Sequence, residues 1–279
     1  PGGLSKSVIN GNGEIQILIN GMNVTKAQAI ENYLRSIINT TILEDIKTAQ
    51  TKTPIVFDLR ILYNPTMRSA LFLVPAVLGM IICLITILFT SMSITKEKEQ
   101  GTFETLIAAP ISPTEILIGK SIPFIILGIA NLPITLSVAV FILKIPIQGS
   151  VLTLLFATTI FVCATVAVGI LISTICKTQQ QSMMGGFIFL FPANLLSGLM
   201  FPVENMPAYM QIFAYLNPLY YFNDVIRNIM LKGGETSLVI KDISILAVMA
   251  TTLMLISFLR FKTKQKINSK CIQGEILRL

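Results

Sequence analysis

The 279-residue sequence contains no histidine, only four cysteines and few charged residues, which make up 13% of the chain. Without histidine, and with no cysteine or acidic cluster at metal-ligand spacing, the sequence offers no metal site, and no nucleophile stands beside a base. These absences argue against an enzyme. The cysteines lack partners at disulfide or CxxC spacing, so they are predicted to be packing residues or idle thiols.

The shortage of charge is concentrated in five runs without Asp, Glu, Lys or Arg: residues 69–95, 121–143, 151–176, 178–203 and 243–259. A soluble domain has roughly 25% charged residues, and a membrane-spanning helix needs about 20 mostly apolar ones. Hydrophobic residues make up 53% of this chain, and its mean hydropathy is +0.75. The sequence therefore predicts an α-helical integral membrane protein with five transmembrane helices.

The net charge of +7 is distributed unevenly between the two sides that five spans would create. Six basic residues follow the last span: Arg260, Lys262, Lys264, Lys266, Lys270 and Arg278. The inside segments would hold these six together with Lys96, Lys98, Lys120 and Lys177, whereas the outside loops would hold Lys144, Arg227, Lys232 and Lys241. The positive-inside rule then places residues 96–120 and the tail inside and residues 1–66 outside. This distribution indicates a membrane partner and argues against nucleic acid.

Residues 1–66 are the one region that reads as a soluble domain. Residues 14–20 alternate as in a strand, residues 25 to about 48 have helical spacing, and residues 55–62 fit a second strand. We expect part of a small extracytoplasmic α+β domain. Because the sequence begins at Pro1 with no export signal, an upstream transmembrane helix is expected to precede it.

The polar segment 96–120 separates the first two apolar runs. The first helix is expected to continue past its apolar run until Gly101 interrupts it. An apolar stripe follows at i, i+3, i+4 and i+7, formed by Phe103, Leu106, Ile107 and Pro110. This spacing is typical of a short amphipathic helix that lies in the membrane interface or docks on a partner, with a solvated turn as the alternative. Ser112-Pro113-Thr114-Glu115 then predicts a capping box that begins the next helix.

Residues 203–232 are too apolar and too aromatic for an ordinary loop. Residues 207–216 and 219–231 are predicted to form short helices that lie at the outer membrane surface or dip back into it. The polar residues of this segment include Glu204, Asp224 and Arg227. Because Asp224 and Arg227 are three residues apart on a helix, we interpret them as a structural ion pair, with a substrate contact as the alternative.

Gly119-Lys120-Ser121 matches the end of a phosphate-binding loop. That motif needs a glycine five residues before its second glycine, and position 114 is threonine. The chain is therefore predicted to bind no nucleotide and no other cofactor.

In their order and spacing, these segments resemble the permeases of type-2 ATP-binding-cassette (ABC) exporters. The resemblance covers residues 66 to 262 and depends on Glu99-x-Gly101-Thr102-x-Glu104 with Leu106-Ile107, on Ser197-Gly198 with Phe201-Pro202, and on Asn217-Pro218-Leu219. It implies six spans in the full chain, with a large extracytoplasmic domain between the first two. The first helix would be absent from this sequence, and residues 1–66 would be the C-terminal part of that domain.

The resemblance also implies partners and functional residues. Residues 99–109 would form a coupling helix in a groove of a separate ATPase subunit, with the residues Glu99, Gly101, Thr102, Phe103, Glu104, Leu106 and Ile107. ATP and magnesium would be bound by that subunit. Outer helices within 203–232 would act as a gate, with the residues Pro202, Glu204, Asn217, Pro218, Asp224 and Arg227. Two permease subunits, as a homodimer or a heterodimer, would share one pathway.

The predicted organisation is an extracytoplasmic part in residues 1–66, a permease domain in 67–262 and a basic cytoplasmic tail in 263–279, in a bacterial cytoplasmic membrane. The predicted function is ATP-driven export of an amphiphilic or drug-like compound by alternating access. An ATP-independent channel or a scaffold or assembly protein is the alternative. The lack of charged residues inside the spans disfavours an ion-coupled transporter.

Overall fold

The computed structural model of the protein describes residues 14–20, 27–37, 40, 56–62, 69–102, 112–199, 203–234 and 236–276. The chain divides into two compact units, Pro1–Phe72 and Leu73–Leu279. Strands occur in the first unit, and most of the helical residues belong to the second.

The first unit contains two paired strands. Strand β1 is Glu14–Asn20, helix α1 covers residues 27–37, and strand β2 is Val56–Leu62. The strands are parallel and in register from end to end. A parallel pair needs a crossover connection between its strands, which is commonly a helix.

The alternation predicted for β1 is present in the structure. Ile19 is buried, whereas its neighbour Leu18 is 57% exposed, because successive side chains of a strand point to opposite faces. The predicted second strand and the first part of the predicted helix are confirmed as well. Residues 25–26, 38–39 and 41–48 of that helix lie outside the described residues.

Long helices form most of the second unit. They are α2, Ser69–Glu99; α3, Pro113–Ser137; α4, Val151–Ile175; and, later in the chain, α8, Thr236–Ile276. After Ser137 the chain continues into one π-helical segment, Val138–Ile142. Within the described residues, four segments are long and apolar enough to cross a membrane: Ala70–Glu99, Thr114–Ile142, Val151–Ile175 and Ser237–Thr263. The protein is therefore a helical membrane protein.

The predicted span at 178–203 has a different form. Helix α5, Gln179–Leu195, has 17 residues and a length of about 25 Å, which is shorter than a hydrocarbon core of about 30 Å. The chain leaves the helix at Leu196 and turns at Gly198, whose φ is +71°. The fifth span therefore remains a prediction. Because α5 ends early, the backbone carbonyls at its end need hydrogen-bond donors from neighbouring residues.

Helix α4 lies at the centre of the second unit. It packs against α3, α5 and α8. In its most apolar 18-residue stretch, 61% of the helix is buried. Gly169 lets α2 approach closely, because a Cβ at this position would lie 2.9 Å from Thr90 Cβ and 3.0 Å from the Ile87 carbonyl oxygen. Small residues commonly permit such close approaches between helices in membranes.

Two hydroxyl pairs connect α2 to its neighbours. Thr86 Oγ1 donates to Thr165 Oγ1 of α4 at 2.8 Å, and Thr95 Oγ1 lies 2.8 Å from Ser182 Oγ of α5. All four side chains are buried. Hydrogen bonds of this kind contribute about 0.6 kcal/mol each on average in a membrane protein, so they align the helices more than they stabilise them.

Two short helices follow α5, as predicted. Helix α6 is Ala208–Tyr215 and helix α7 is Pro218–Lys232, which ends at Gly233 with φ +79°. The two helices differ in environment. Most side chains of α7 are buried, including Phe222, which stacks on Phe161 of α4 at 4.2 Å between ring centroids. Large apolar side chains of α6, such as Phe213, are exposed.

Candidate functional site

Helix α2 extends beyond its apolar run, as predicted. The apolar run ends at Thr95, and the helix continues through the charged residues to Glu99. Gly101 then adopts a left-handed conformation with φ +75°. This conformation is typical of a helix end and costs little only for glycine.

An ion pair connects the end of α2 to the beginning of α3. Lys120 Nζ bonds to Glu97 Oε1, and both side chains are about one-quarter exposed, at 25% and 27%. The other carboxylate oxygen, Glu97 Oε2, is buried and has no hydrogen-bond partner among the described residues. A carboxylate that is only half satisfied depends strongly on its cation, because an uncompensated buried charge is costly.

The next two residues reach two other helices. Lys98 Nζ donates to the Ser173 carbonyl oxygen, in the last turn of α4. Glu99 Oε2 accepts a hydrogen bond of 2.9 Å from the Gln179 N–H, in the first turn of α5. Each charge has the sign that the helix dipole favours, since a cation suits a helix C-terminus and an anion suits an N-terminus.

The predicted capping box at the beginning of α3 is confirmed. The Ser112 side chain accepts from the Glu115 N–H at 3.3 Å, and the Glu115 carboxylate accepts from the Ser112 N–H at 3.0 Å. Pro113 occupies the first helical position, where its missing donor is tolerated. Helix α3 therefore has a fixed starting point, with its N-cap Ser112 13 residues after Glu99.

Some of the predicted coupling residues belong to this arrangement. Glu99 caps α5, Gly101 ends α2, and Thr102 Oγ1 donates to the Glu97 carbonyl oxygen at 3.3 Å. The other four, Phe103, Glu104, Leu106 and Ile107, lie outside the described residues. Sequence reasoning missed the roles of Glu97 and Lys98, although the alternating charges of residues 96–99 were a signal that they have specific partners.

At its other end, α5 is capped by side chains of α7 and of the residue before it. Backbone N–H groups of Leu196 and Ser197 bond to the Pro192 and Asn194 carbonyls. The Ala193 carbonyl oxygen instead accepts from Asn217 Nδ2 at 2.7 Å, while Asn217 Oδ1 accepts from the Leu219 N–H at 3.1 Å. One buried side chain thus ends α5 and begins α7.

Two further side chains of α7 donate to carbonyls beyond the end of α5. Asn223 Nδ2 donates to the Ser197 carbonyl oxygen at 3.4 Å, and Arg227 Nη2 donates to the Gly198 carbonyl oxygen at 3.2 Å. Both side chains are buried. Backbone carbonyls that are shielded from water need such donors. Asn217 and these two side chains of α7 therefore supply the groups that allow α5 to end early.

The predicted pair Asp224 and Arg227 belongs to this larger arrangement. Burial lowers the pKa of Arg227 to about 10, and the Asp224 carboxylate opposes the shift by favouring the charged form. Asp224 itself is exposed. The guanidinium stays charged at neutral pH, and its contact with Gly198 joins α7 to the turn that follows α5.

The remaining residues predicted for the outer gate are dispersed. Glu204 is exposed in a 3-10 turn, Val203–Asn205. Pro218 is buried at the first position of α7, and Pro202 lies outside the described residues. Asn223 was not predicted, because nothing in its local sequence indicates a contact with a residue 26 positions earlier.

The loop between α3 and α4 also joins α7. The Gln148 and Gly149 N–H groups donate to the Met230 and Ile229 carbonyl oxygens at 3.2 and 2.9 Å. Helix α7 is thereby held near both of its ends.

Four long apolar helices, two of them joined by a short polar connection with a capped helix start, define a polytopic helical membrane protein. Comparison with known proteins agrees. Residues 1–259 match the ABC-2 family transporter proteins, and the chain belongs to this family. It is an ABC-2 transporter permease.

Several bacterial permeases are similar to the chain over most of its length. The probable multidrug ABC transporter permease YbhR of Escherichia coli is 33% identical over 90% of this chain and 68% of its own length. The probable multidrug ABC transporter permease YbhS is 30% identical over 93% and 69%, and the inner membrane transport permease YhhJ is 27% identical over 89% and 67%. No solved structure matches.

Proposed function

We propose that the chain is the permease subunit of an ATP-driven exporter, which moves an amphiphilic or drug-like compound out of the cytoplasm by alternating access. The observation that carries the proposal is the connection between α2 and α3. Helix α2 continues past its apolar run to Glu99, and α3 begins at a capped position, so both helices have defined ends next to residues 103–111. A partner that moves this connection would move both helices.

The partner would be a separate ABC ATPase subunit, which binds ATP and magnesium. Its docking element would be the coupling segment 99–109, with Glu99, Gly101 and Thr102 at its start and with Phe103, Glu104, Leu106 and Ile107 following. The chain itself shows no complete phosphate-binding motif. A second permease subunit, identical or homologous, would complete the pathway between the two.

The proposed orientation places residues 96–120 and the tail in the cytoplasm, and residues 1–66 and 203–232 outside a bacterial cytoplasmic membrane. The bias of basic residues supports this orientation. The segment that contains α6 and α7 would form the outer closure of the pathway. Because α7 is buried and bonded to α5 and to the 148–149 loop, α6 is the part of the segment with exposed apolar surface for such a role.

Two observations support an amphiphilic or drug-like substrate. The spans contain few charged residues, which suits compounds that partition into the membrane. The relatives YbhR and YbhS are named as probable multidrug permeases, and the same substrate class is proposed for this chain.

The test is reconstitution of the full chain with the ABC ATPase that co-purifies with it. Replacing Gly101 by Val and Glu104 by Ala together should lower permease-dependent ATP hydrolysis by about tenfold or more, a coupling of ordinary size. Val cannot adopt the φ of +75° without strain. Circular dichroism should show an unchanged helix content.

The matched control is Gly119→Ala, since a Cβ at this helical glycine meets nothing within 4 Å. It should leave ATP hydrolysis unchanged. The absence of any co-purifying ATPase, or full hydrolysis by the double variant, would contradict the proposed function.

A further inference from the structure

Three consecutive residues at the end of α2 each bond to a different helix. Glu97 pairs with Lys120 of α3, Lys98 donates to a carbonyl of α4, and Glu99 accepts from an N–H of α5. Successive residues of an α-helix are rotated by about 100°, so three in a row span about 200° and point in three different directions. The end of α2 is therefore bonded to three neighbouring helices on different sides.

The polar connection between α2 and α3 is attached to the same point. Thr102 Oγ1 donates to the Glu97 carbonyl oxygen at 3.3 Å, which holds the first residues after Gly101 against the last turn of α2. One turn earlier, Thr95 and Ser182 join α2 to α5 in the buried interior. A displacement of the connection thus acts on a turn that is bonded to α3, α4 and α5.

The three bonds have different chemical requirements. The pair Glu97–Lys120 needs two opposite charges, because it is an ion pair between partly buried side chains and a reversal at one residue would bring two like charges together. Glu99 needs only an acceptor for the Gln179 N–H, which a neutral amide oxygen also provides. A Glu99→Gln variant can therefore distinguish a hydrogen bond within the chain from a contact that requires the charge of Glu99.

We propose that Glu97, Lys98 and Glu99 form a three-way junction that couples α3, α4 and α5 to the movement of the α2–α3 connection. In this arrangement Glu99, at the start of the coupling segment, is a positioning residue whose carboxylate acts within the chain through α5. The inference rests on the proposed function, since it assumes that an ATPase moves the connection. It adds that α3, α4 and α5 follow that movement and that the side chains of Glu97, Lys98 and Glu99 transmit it.

The experiment uses the full chain in complex with its ATPase, with Cys176 as the one remaining cysteine and the other three replaced by alanine. Cys176 caps the end of α4 three residues after Ser173 and is partly exposed. Its labelling rate with fluorescein maleimide is measured without nucleotide and after trapping with ATP and vanadate. This readout needs no knowledge of the substrate.

Trapping should change the labelling rate of the otherwise unaltered complex by about fivefold or more, the lower range of typical couplings. Glu97→Lys and Lys120→Glu should each abolish the change, and the double exchange should restore most of it, since the pair interaction is regained. Glu99→Gln should keep the change and Glu99→Ala should lose it. The control Lys177→Gln removes an exposed charge next to Cys176; it should lower the absolute labelling rate, because the thiolate loses a neighbouring cation, and keep the fold-change on trapping.

The inference is overturned if the double exchange behaves like the single variants, if Glu99→Gln is as defective as Glu99→Ala, or if trapping leaves Cys176 labelling unchanged. In each of these cases, an ATPase that still binds and hydrolyses ATP in a permease-dependent manner leaves the proposed function standing. Loss of ATPase binding by the unaltered permease would instead remove the proposed function, and the inference with it. Thermal unfolding midpoints within a few degrees of one another exclude misfolding as the cause.

Discussion

Asn217 makes two hydrogen bonds with one side chain, and substitutions at this position can separate their contributions to stability. Its Oδ1 caps α7 through the Leu219 N–H, and its Nδ2 donates to the Ala193 carbonyl oxygen of α5. Loss of a helix N-cap costs about 1 kcal/mol. Loss of the buried donor leaves a carbonyl unsatisfied and costs roughly 1–3 kcal/mol. Asn217→Ala should therefore lower the free energy of unfolding by about 2–4 kcal/mol.

Asn217→Ser keeps an oxygen at the N-cap and removes only the amide donor. It should remain about 1 kcal/mol more stable than Asn217→Ala, because the cap of α7 is retained. The measurement is unfolding of the purified protein by SDS in mixed micelles, followed by circular dichroism. Asn205→Ala is the control, since Asn205 is exposed in the same segment, and its effect should stay within about 0.5 kcal/mol.

Two results would refute this reasoning. If the serine and alanine variants unfold together, the Oδ1 cap contributes nothing measurable. If Asn217→Ala matches Asn205→Ala, the junction of α5 with α7 does not depend on Asn217 at all, and the early end of α5 needs another explanation.

Gly169→Ala should destabilise the protein by about 1–3 kcal/mol, because the added Cβ would press on Thr90 and on the Ile87 backbone. Gly119→Ala, with open space at its Cβ, should be neutral or slightly stabilising in the same SDS titration; equal losses would contradict close packing at Gly169. Phe103→Cys, in a chain without other cysteines, should react with a membrane-impermeant maleimide in inside-out vesicles and resist it in right-side-out ones. The reverse pattern would overturn the proposed orientation.

Local signals in the sequence predicted the boundaries of several helices. Gly101 marks the end of α2, and the pair Ser112 and Glu115 marks the start of α3. Both boundaries were predictable because glycine conformation and capping depend on residues close together in the chain. The short helices α6 and α7 were predicted from the density of apolar and aromatic residues. Features of this kind are encoded within one or two helical turns and are therefore readable without a structure.

The contacts that join the helices were not predictable in the same way. Arg227 was interpreted through Asp224, three residues away, yet it also bonds to Gly198, which is 29 positions earlier. Likewise the resemblance placed Glu99 in the coupling segment, and nothing in its local sequence indicated that its carboxylate also accepts from the Gln179 N–H of α5. Such partners depend on how helices that are distant in sequence pack, and charge or spacing alone does not specify them.

The bonds between the 148–149 loop and α7 involve main-chain atoms on both sides. The side chain of Gln148 is exposed and can therefore change in character while this contact persists, provided that position 149 stays free of a Cβ, which would lie 2.7 Å from the Ile229 carbonyl oxygen. Insertions or deletions in the loop between α3 and α4 would break these bonds, because they would displace the Gln148 and Gly149 N–H groups from their acceptors. The contact thus tolerates a change of side chain at position 148 and restricts the length of the loop between α3 and α4.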